Sequence, residues 1–176
     1  MKHLGLTLIE VLLYIAIIGI CLFSVVGFAT NIGKINQRST LQSEVQYALR
    51  FAESQIALKV RNAYSFNWDN SVLNSDFGIL KLNAPLNTIS TVFLYNRADN
   101  RLLRQIVSGP TVYITPLDVH LDYFRISKLN DVTAVIDLSV SAGSPDLGPY
   151  RYYQSSSTLI VAVRRVCGSG YKGICP

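Results

Sequence analysis

Histidine, cysteine, proline and charge are all thinly spread in this 176-residue chain, and each scarcity excludes something. The only histidines are His3 and His120. They are too few and too far apart to build a nucleophile–base set or a ligand cluster with metal spacing. No glycine-rich phosphate loop is present. Asp118 and Asp122 flank His120 in an alternating stretch, where paired carboxylates are expected to be solvated and His120 to point outward. The chain is read as non-enzymatic and without a cofactor. Proline is absent before Pro85, so nothing of that kind interrupts a helix in the first half. Charged residues make up 15% and apolar residues 49%, a balance too apolar for a disordered chain. The length accommodates one membrane segment and one modest domain.

What is present begins with a long apolar run. From Leu6 to Ala29 there is no Lys, Arg or Asp, and Glu10 is the single formal charge. A helical run of ~20 apolar residues spans a hydrocarbon core. A carboxylate within such a run costs up to ~2.5–3.5 kcal/mol at mid-span and less near an end, so it calls for a partner. The run is too long for a cleavable secretory signal and has no small-residue cleavage site after it. Ile20 before Cys21 excludes a lipoprotein signal. Lys2 ahead of the run, with Lys34 and Arg38 beyond it, gives a modest orientation signal. The N-terminus is read as cytoplasmic and the bulk of the chain as exported.

Gly5-Leu6-Thr7-Leu8-Ile9-Glu10 resembles the processing site of type IV prepilins and of the pseudopilins of type II secretion. The resemblance covers Gly5 to about Ser24 and is diffuse beyond. It implies cleavage by prepilin peptidase after Gly5, N-methylation of Leu6, and a filament-assembly role for Glu10. It also implies a pilin fold, in which a long N-terminal helix packs its second half on an antiparallel sheet. The electrostatics agree with that reading. Cleavage creates an α-ammonium at Leu6 with a reference pKa near ~7.7–8.0, one helical turn from Glu10. Either that amine or the one on an adjoining subunit would neutralise the carboxylate and remove two charges from an apolar setting. The alternative is an uncleaved signal anchor whose Glu10 sits at headgroup level.

Beyond the run the apolar spacing stays helical. Leu41, Val45, Ala48, Leu49, Ala52, Ile56, Val60 and Ala63 recur at steps of three and four, with polar residues between them. Unbroken from Leu6 to Ala63, the helix would be ~87 Å long. Gly19, Gly27 and Gly33 are weak points of ~1 kcal/mol each. They would permit melting on assembly, as in filaments of related pilins, or tight packing of helices in lipid. Residues Tyr64 to Asp76 are rich in Asn, Ser and Asp and read as a loop. The period then becomes two. Strands are expected at Phe77–Leu82, Thr91–Asn96, Arg101–Val107, Val112–Thr115, Val119–Ile126, Val132–Ser141 and Ser157–Val166, with hairpin loops at Asp99-Asn100 and Asn130-Asp131. The fold class is α+β. The expected divisions are a leader (1–5), a transmembrane or filament-core helix (6–30), an amphipathic continuation (31–63) and an exported β-rich domain (64–176).

Cys21 reads as a small apolar residue within the run. Cys167 and Cys175 close a glycine-rich terminus and read as a disulfide in preference to free thiols, with metal binding needing two further ligands. Net charge is +5, and Arg97, Arg101 and Arg104 gather around one hairpin near several tyrosines. They either form a basic face for nucleic acid or are ordinary strand residues on a wet face. The expected function is a structural subunit, a minor pilin or pseudopilin, of a type IV pilus, type II secretion or competence filament. The alternative is a filament-borne DNA-binding or adhesion module. Expected partners are other pilin or pseudopilin subunits, the prepilin peptidase, the inner-membrane assembly platform, the membrane itself and, on the second reading, DNA. The expected location is a single pass of the inner membrane with the C-terminal domain outside the cytoplasm, then an extracellular or periplasmic filament.

Overall fold

The computed structural model describes residues 8–84, 89–107, 109–149 and 151–163. One helix, α1 (Leu8–Asn62, 55 residues), is ~82 Å long at 1.5 Å per residue. It forms because no proline interrupts it and because one stripe of its second half has a surface to bury. Val45, Ala48, Leu49, Ala52, Ile56 and Val60 are its buried residues, on the spacing read from the sequence. Lys59 and Arg61 lie in its last turn, where cations complement the helix dipole. It closes with a tightened turn, Ala63 N–H donating to the Val60 carbonyl at 3.1 Å. The first half, by contrast, is uncovered. No part of its most apolar stretch is buried within the molecule, and the helix is long and apolar enough to cross a membrane.

Eight strands follow: β1 (Ser65–Phe66), β2 (Ile79–Asn83), β3 (Ile89–Asn96), β4 (Arg101–Ile106), β5 (Thr111–Tyr113), β6 (Val119–Asn130), β7 (Thr133–Gly143) and β8 (Tyr152–Ala162). The first five make one antiparallel sheet in sequence order, and the last three make a second. The α+β class therefore holds, with two sheets. β1 lies inside the stretch read as loop. It pairs with β2 and is braced by side-chain amides, Asn67 Nδ2 donating to Asn83 Oδ1 at 3.1 Å and Asn83 Nδ2 to Ser65 Oγ at 3.1 Å. β6 runs four residues past its expected end, and β8 begins at Tyr152 rather than Ser157.

The sheets meet along β6. Gly78 N–H donates to the Phe124 carbonyl, Phe124 N–H to that of Asp76 and Asn74 N–H to that of Ile126, each at 2.8 Å. Phe77 and Phe124 form a parallel bridge there. The approach needs a glycine at 78, because a Cβ at that position would stand 2.3 Å from the Phe124 carbonyl oxygen. The 97–100 hairpin turns at Asn100, whose φ of 49° suits asparagine better than most residues.

α1 packs mainly on β7 and β8. The inward positions of β7 (Ala134, Ile136, Leu138, Val140 and Ala142) are fully buried. They alternate with outward residues as the pleat requires. Leu80, Leu82, Phe93, Leu102 and Phe124 join the same core.

Candidate functional site

The N-terminal half of α1 concentrates the residues singled out in the sequence. Glu10 occupies its first turn and is exposed, between Ile9 at 76% and Val11 at 43% exposure. Gly5, Leu6, Cys167 and Cys175 lie outside the described residues. Around Glu10 the surface is apolar on all sides: Leu8, Leu12, Leu13, Ile15, Ile17 and Ile18 are all exposed. Cys21 is a free thiol on this surface. A Cβ added at Gly19, Gly27 or Gly33 would meet nothing within 4 Å. No packing inside the molecule demands those glycines.

The apolar surface does not stop where the sheet begins. Tyr47, Phe51 and Leu58 are 68%, 39% and 52% exposed, and Tyr47 stacks on Phe51 with ring centroids 6.2 Å apart. At 3.6 residues per turn they lie roughly opposite the stripe that meets the sheet. The second half of α1 thus has two apolar faces, one buried and one open. Apolar spacing in the sequence marks the first face, whereas Tyr47, Phe51 and Leu58 fall among polar residues and form no such stripe there.

The three arginines of the β3–β4 hairpin are dispersed. Arg101 and Arg104 are three residues apart on β4, so their side chains leave opposite faces of the sheet. Arg101 donates to the Thr115 carbonyl, its Nε at 3.0 Å, and stacks 3.9 Å above the Tyr113 ring. Arg104 reaches α1, its Nη1 donating to Gln55 Oε1 at 2.9 Å. Arg97 stacks 4.1 Å above Phe77, which contacts Tyr95. Tyr113 donates to Asp99 Oδ2 at 2.9 Å, and that hydrogen bond, together with the charge of Asp99, raises its pKa above 10.0. Tyr95 is raised as well, by burial first and by the charge of Asp122 second. These contacts tie strands and hairpin together and leave no single face that presents all three guanidinium groups.

His120 is exposed, as its alternation with Val119 and Leu121 implies, and so is Asp118. Asp122 is not solvated in the expected way. It sits at a bulge between Leu121 and Tyr123 and accepts from Ser141 Oγ at 2.7 Å, Ser139 Oγ at 3.0 Å and Gln154 Nε2 at 3.0 Å. It thereby links β6, β7 and β8. A strand pattern gives no sign of a bulge, so the alternation that suggests a solvated Asp122 carries no signal of its turn toward β7 and β8. A polar cleft lined by Asn67, Trp68, Asn70, Asn83, Lys128 and Asp131 was equally unmarked. There Trp68 stacks on Phe66, and its indole N–H donates to the Asp131 carbonyl at 3.1 Å. Among the described residues no group of three or more His, Cys, Asp or Glu side chains is placed to hold a metal ion.

No family model matches the chain, and neither the comparison with curated proteins nor that with solved structures found a match.

Proposed function

We propose that this chain is a structural subunit of a type IV pilin-like or pseudopilin-like filament, processed after Gly5 and assembled through α1. The observation that carries the reading is the division of labour along one helix. Its second half holds a sheet domain on one face. Its first half, in which Glu10 is the lone charge of the apolar run to Ala29, has no partner inside the molecule. A helix of this kind has two settings available, a bilayer or a bundle of like helices, and a subunit that waits in the membrane before joining a filament uses both. The open stripe of Tyr47, Phe51 and Leu58 extends the apolar surface toward the exported domain, where a bundle would cover it and a bilayer would not.

Glu10 then acts twice. In the bilayer it costs least near the interface, beside the new amine of Leu6. In the bundle it accepts the amine of a neighbouring subunit, which sets axial register as well as neutralising charge. The proposed partners are other subunits of the filament, the prepilin peptidase and the assembly platform.

The test is Glu10→Ala in the native host. The variant should accumulate in the membrane at normal levels and be missing from sheared filaments. Normal incorporation would remove the role given to Glu10. Mass spectrometry of the mature chain should find a methylated Leu6 at the N-terminus, and an intact Met1 would defeat the processing step.

A further inference from the structure

The polar cleft at Trp68 lies between the residues after β1 and the β6–β7 end of the second sheet, and encloses about 540 Å³. That is the size of a small-ligand site, for which ~300–1,000 Å³ is usual. Its walls are already fixed. Asn67 Oδ1 accepts from the backbone N–H of Asn70 at 3.2 Å and from Asn70 Nδ2 at 3.0 Å. Ser71 Oγ donates to the Asn67 carbonyl at 2.6 Å and accepts from the Lys81 N–H at 3.0 Å, which staples the loop to β2. The Trp68 ring is held between its stack on Phe66, centroids 4.5 Å apart, and its indole bond to the Asp131 carbonyl. A site built this way loses little to ordering when it binds.

Bracing the loop uses only part of the hydrogen-bonding capacity in the cleft. Ser65 Oγ accepts from Asn83 and still has its own proton to give. Asn67 and Asn70 each commit one amide N–H, and Asn70 Oδ1 accepts from nothing among the described residues. Asp69 is exposed, and its carboxylate has no hydrogen bond or ion pair among the described residues. Donors and acceptors are thus left over side by side.

Charge narrows the choice of ligand. Lys128 Nζ lies 2.7 Å from Asp131 and over the Trp68 ring, 5.6 Å from its centroid. A cation entering the cleft meets that ammonium, and an anion meets Asp69. A neutral group that donates and accepts at one atom suits the remaining partners, and the hydroxyl is such a group. The indole adds a demand for one apolar face. A pyranose ring satisfies both, with hydroxyls around its rim and a patch of C–H groups on one side. We propose that the cleft binds a neutral pyranoside, its C–H face against Trp68 and its hydroxyls on Asp69 and Asn70. The Lys128 side chain is 41% exposed and its ion pair lies at the surface, so the ammonium yields the ring at little cost.

Trp68 is the only tryptophan, so its fluorescence reports on the cleft directly. The experiment titrates the full chain, in micelles of a detergent without a sugar headgroup, with methyl β-glucoside, methyl β-galactoside and methyl α-mannoside. At least one should change the emission saturably, with a Kd of about 1 mM for a ligand of this size. Methyl β-glucuronide, which is anionic, and sorbitol, which has no ring, should give no saturable change. Asp69→Ala should weaken binding by about tenfold or more and leave the melting temperature unchanged, because no described residue relies on that carboxylate. Lys128→Ala clears the ring and should bind at least as tightly as the unaltered chain. The proposal is overturned if none of the three glycosides binds by about 50 mM, roughly fifty times the expected Kd. It is overturned equally if the glucuronide or sorbitol binds as well as they do, if Asp69→Ala binds normally, or if Lys128→Ala binds more weakly. None of these readouts depends on filament incorporation, so failure here is distinct from failure of the Glu10 test.

Discussion

Replacing Gly78 by alanine tests the junction on which the two-sheet domain depends. The added methyl would lie 2.3 Å from the Phe124 carbonyl oxygen and 2.9 Å from Ile126 Cδ1. A close carbon–oxygen contact is ~3.3 Å, so one backbone must retreat by about 1 Å. The isoleucine methyl can turn aside, but the carbonyl belongs to β6 and is held by pairing to β7. Retreat stretches the Gly78–Phe124 hydrogen bond and disturbs the neighbouring bonds from Phe124 to Asp76 and from Asn74 to Ile126. Overpacking of ~1–3 kcal/mol plus about 1 kcal/mol for one lost bond gives a destabilisation of roughly 2–4 kcal/mol. For a domain of this size that lowers the melting temperature by about 10 °C. Unfolding of the full chain in micelles can be followed by the fluorescence of Trp68, the only tryptophan, which bridges Phe66 and the β6–β7 turn. Gly27→Ala is the control, since nothing lies within 4 Å of its Cβ position. A Gly78→Ala protein melting within about 2 °C of wild type would refute the argument, because the junction would then tolerate a side chain that the geometry forbids.

The other predictions concern side chains that hold the sheets and the terminus. Asp122→Ala should destabilise by ~1–3 kcal/mol, since the largely buried hydroxyls of Ser139 and Ser141 lose their acceptor; Asp122→Asn should recover part of the loss in the same melting assay. Tyr113 should ionise above the ordinary tyrosine value of 10.0 because of its hydrogen bond to Asp99. Its pKa is raised in the folded state, so its contribution to stability is whole below pH 10.0 and is lost as pH rises through the folded value. Asp99→Asn should move that ionisation back down in a phenolate absorbance titration, and superimposable curves would show that the Asp99 contact is not the cause. Alkylation of the unreduced chain should label Cys21 alone. Reduction should free Cys167 and Cys175 and cost at most roughly 2–3 kcal/mol, and labelling of all three without reductant would exclude the bridge.

How much was legible in the sequence differs from element to element. The apolar run with its one carboxylate, the stripe from Val45 to Val60 and the change of period after the loop are one-dimensional patterns. Each follows from which side chains tolerate lipid, a helix face or a pleat, so each can be read from neighbours in the chain. The expected ends of α1 and of β3 and β4 lie within two residues of those observed. The strand pattern starts β8 at Ser157, five residues after its observed start, because Tyr152 to Ser156 carry no apolar alternation. They are strand because β7 provides a partner for their backbone, which no local pattern records.

Placement depended on tertiary structure throughout. Arg101 and Arg104 look like one cluster in sequence, but the pleat sends them to opposite faces, one to Thr115 and one to Gln55. Asp122 becomes a link among three strands only because a bulge turns it toward Ser139 and Ser141. Sequence by itself determined that one end of this protein is a helix suited to lipid or to other helices and that the rest is a sheet domain, because hydrophobic periodicity is a local property. Which faces are covered and where the two sheets touch were decided by pairing between residues far apart in the chain, and register between distant strands is a property of the folded chain alone.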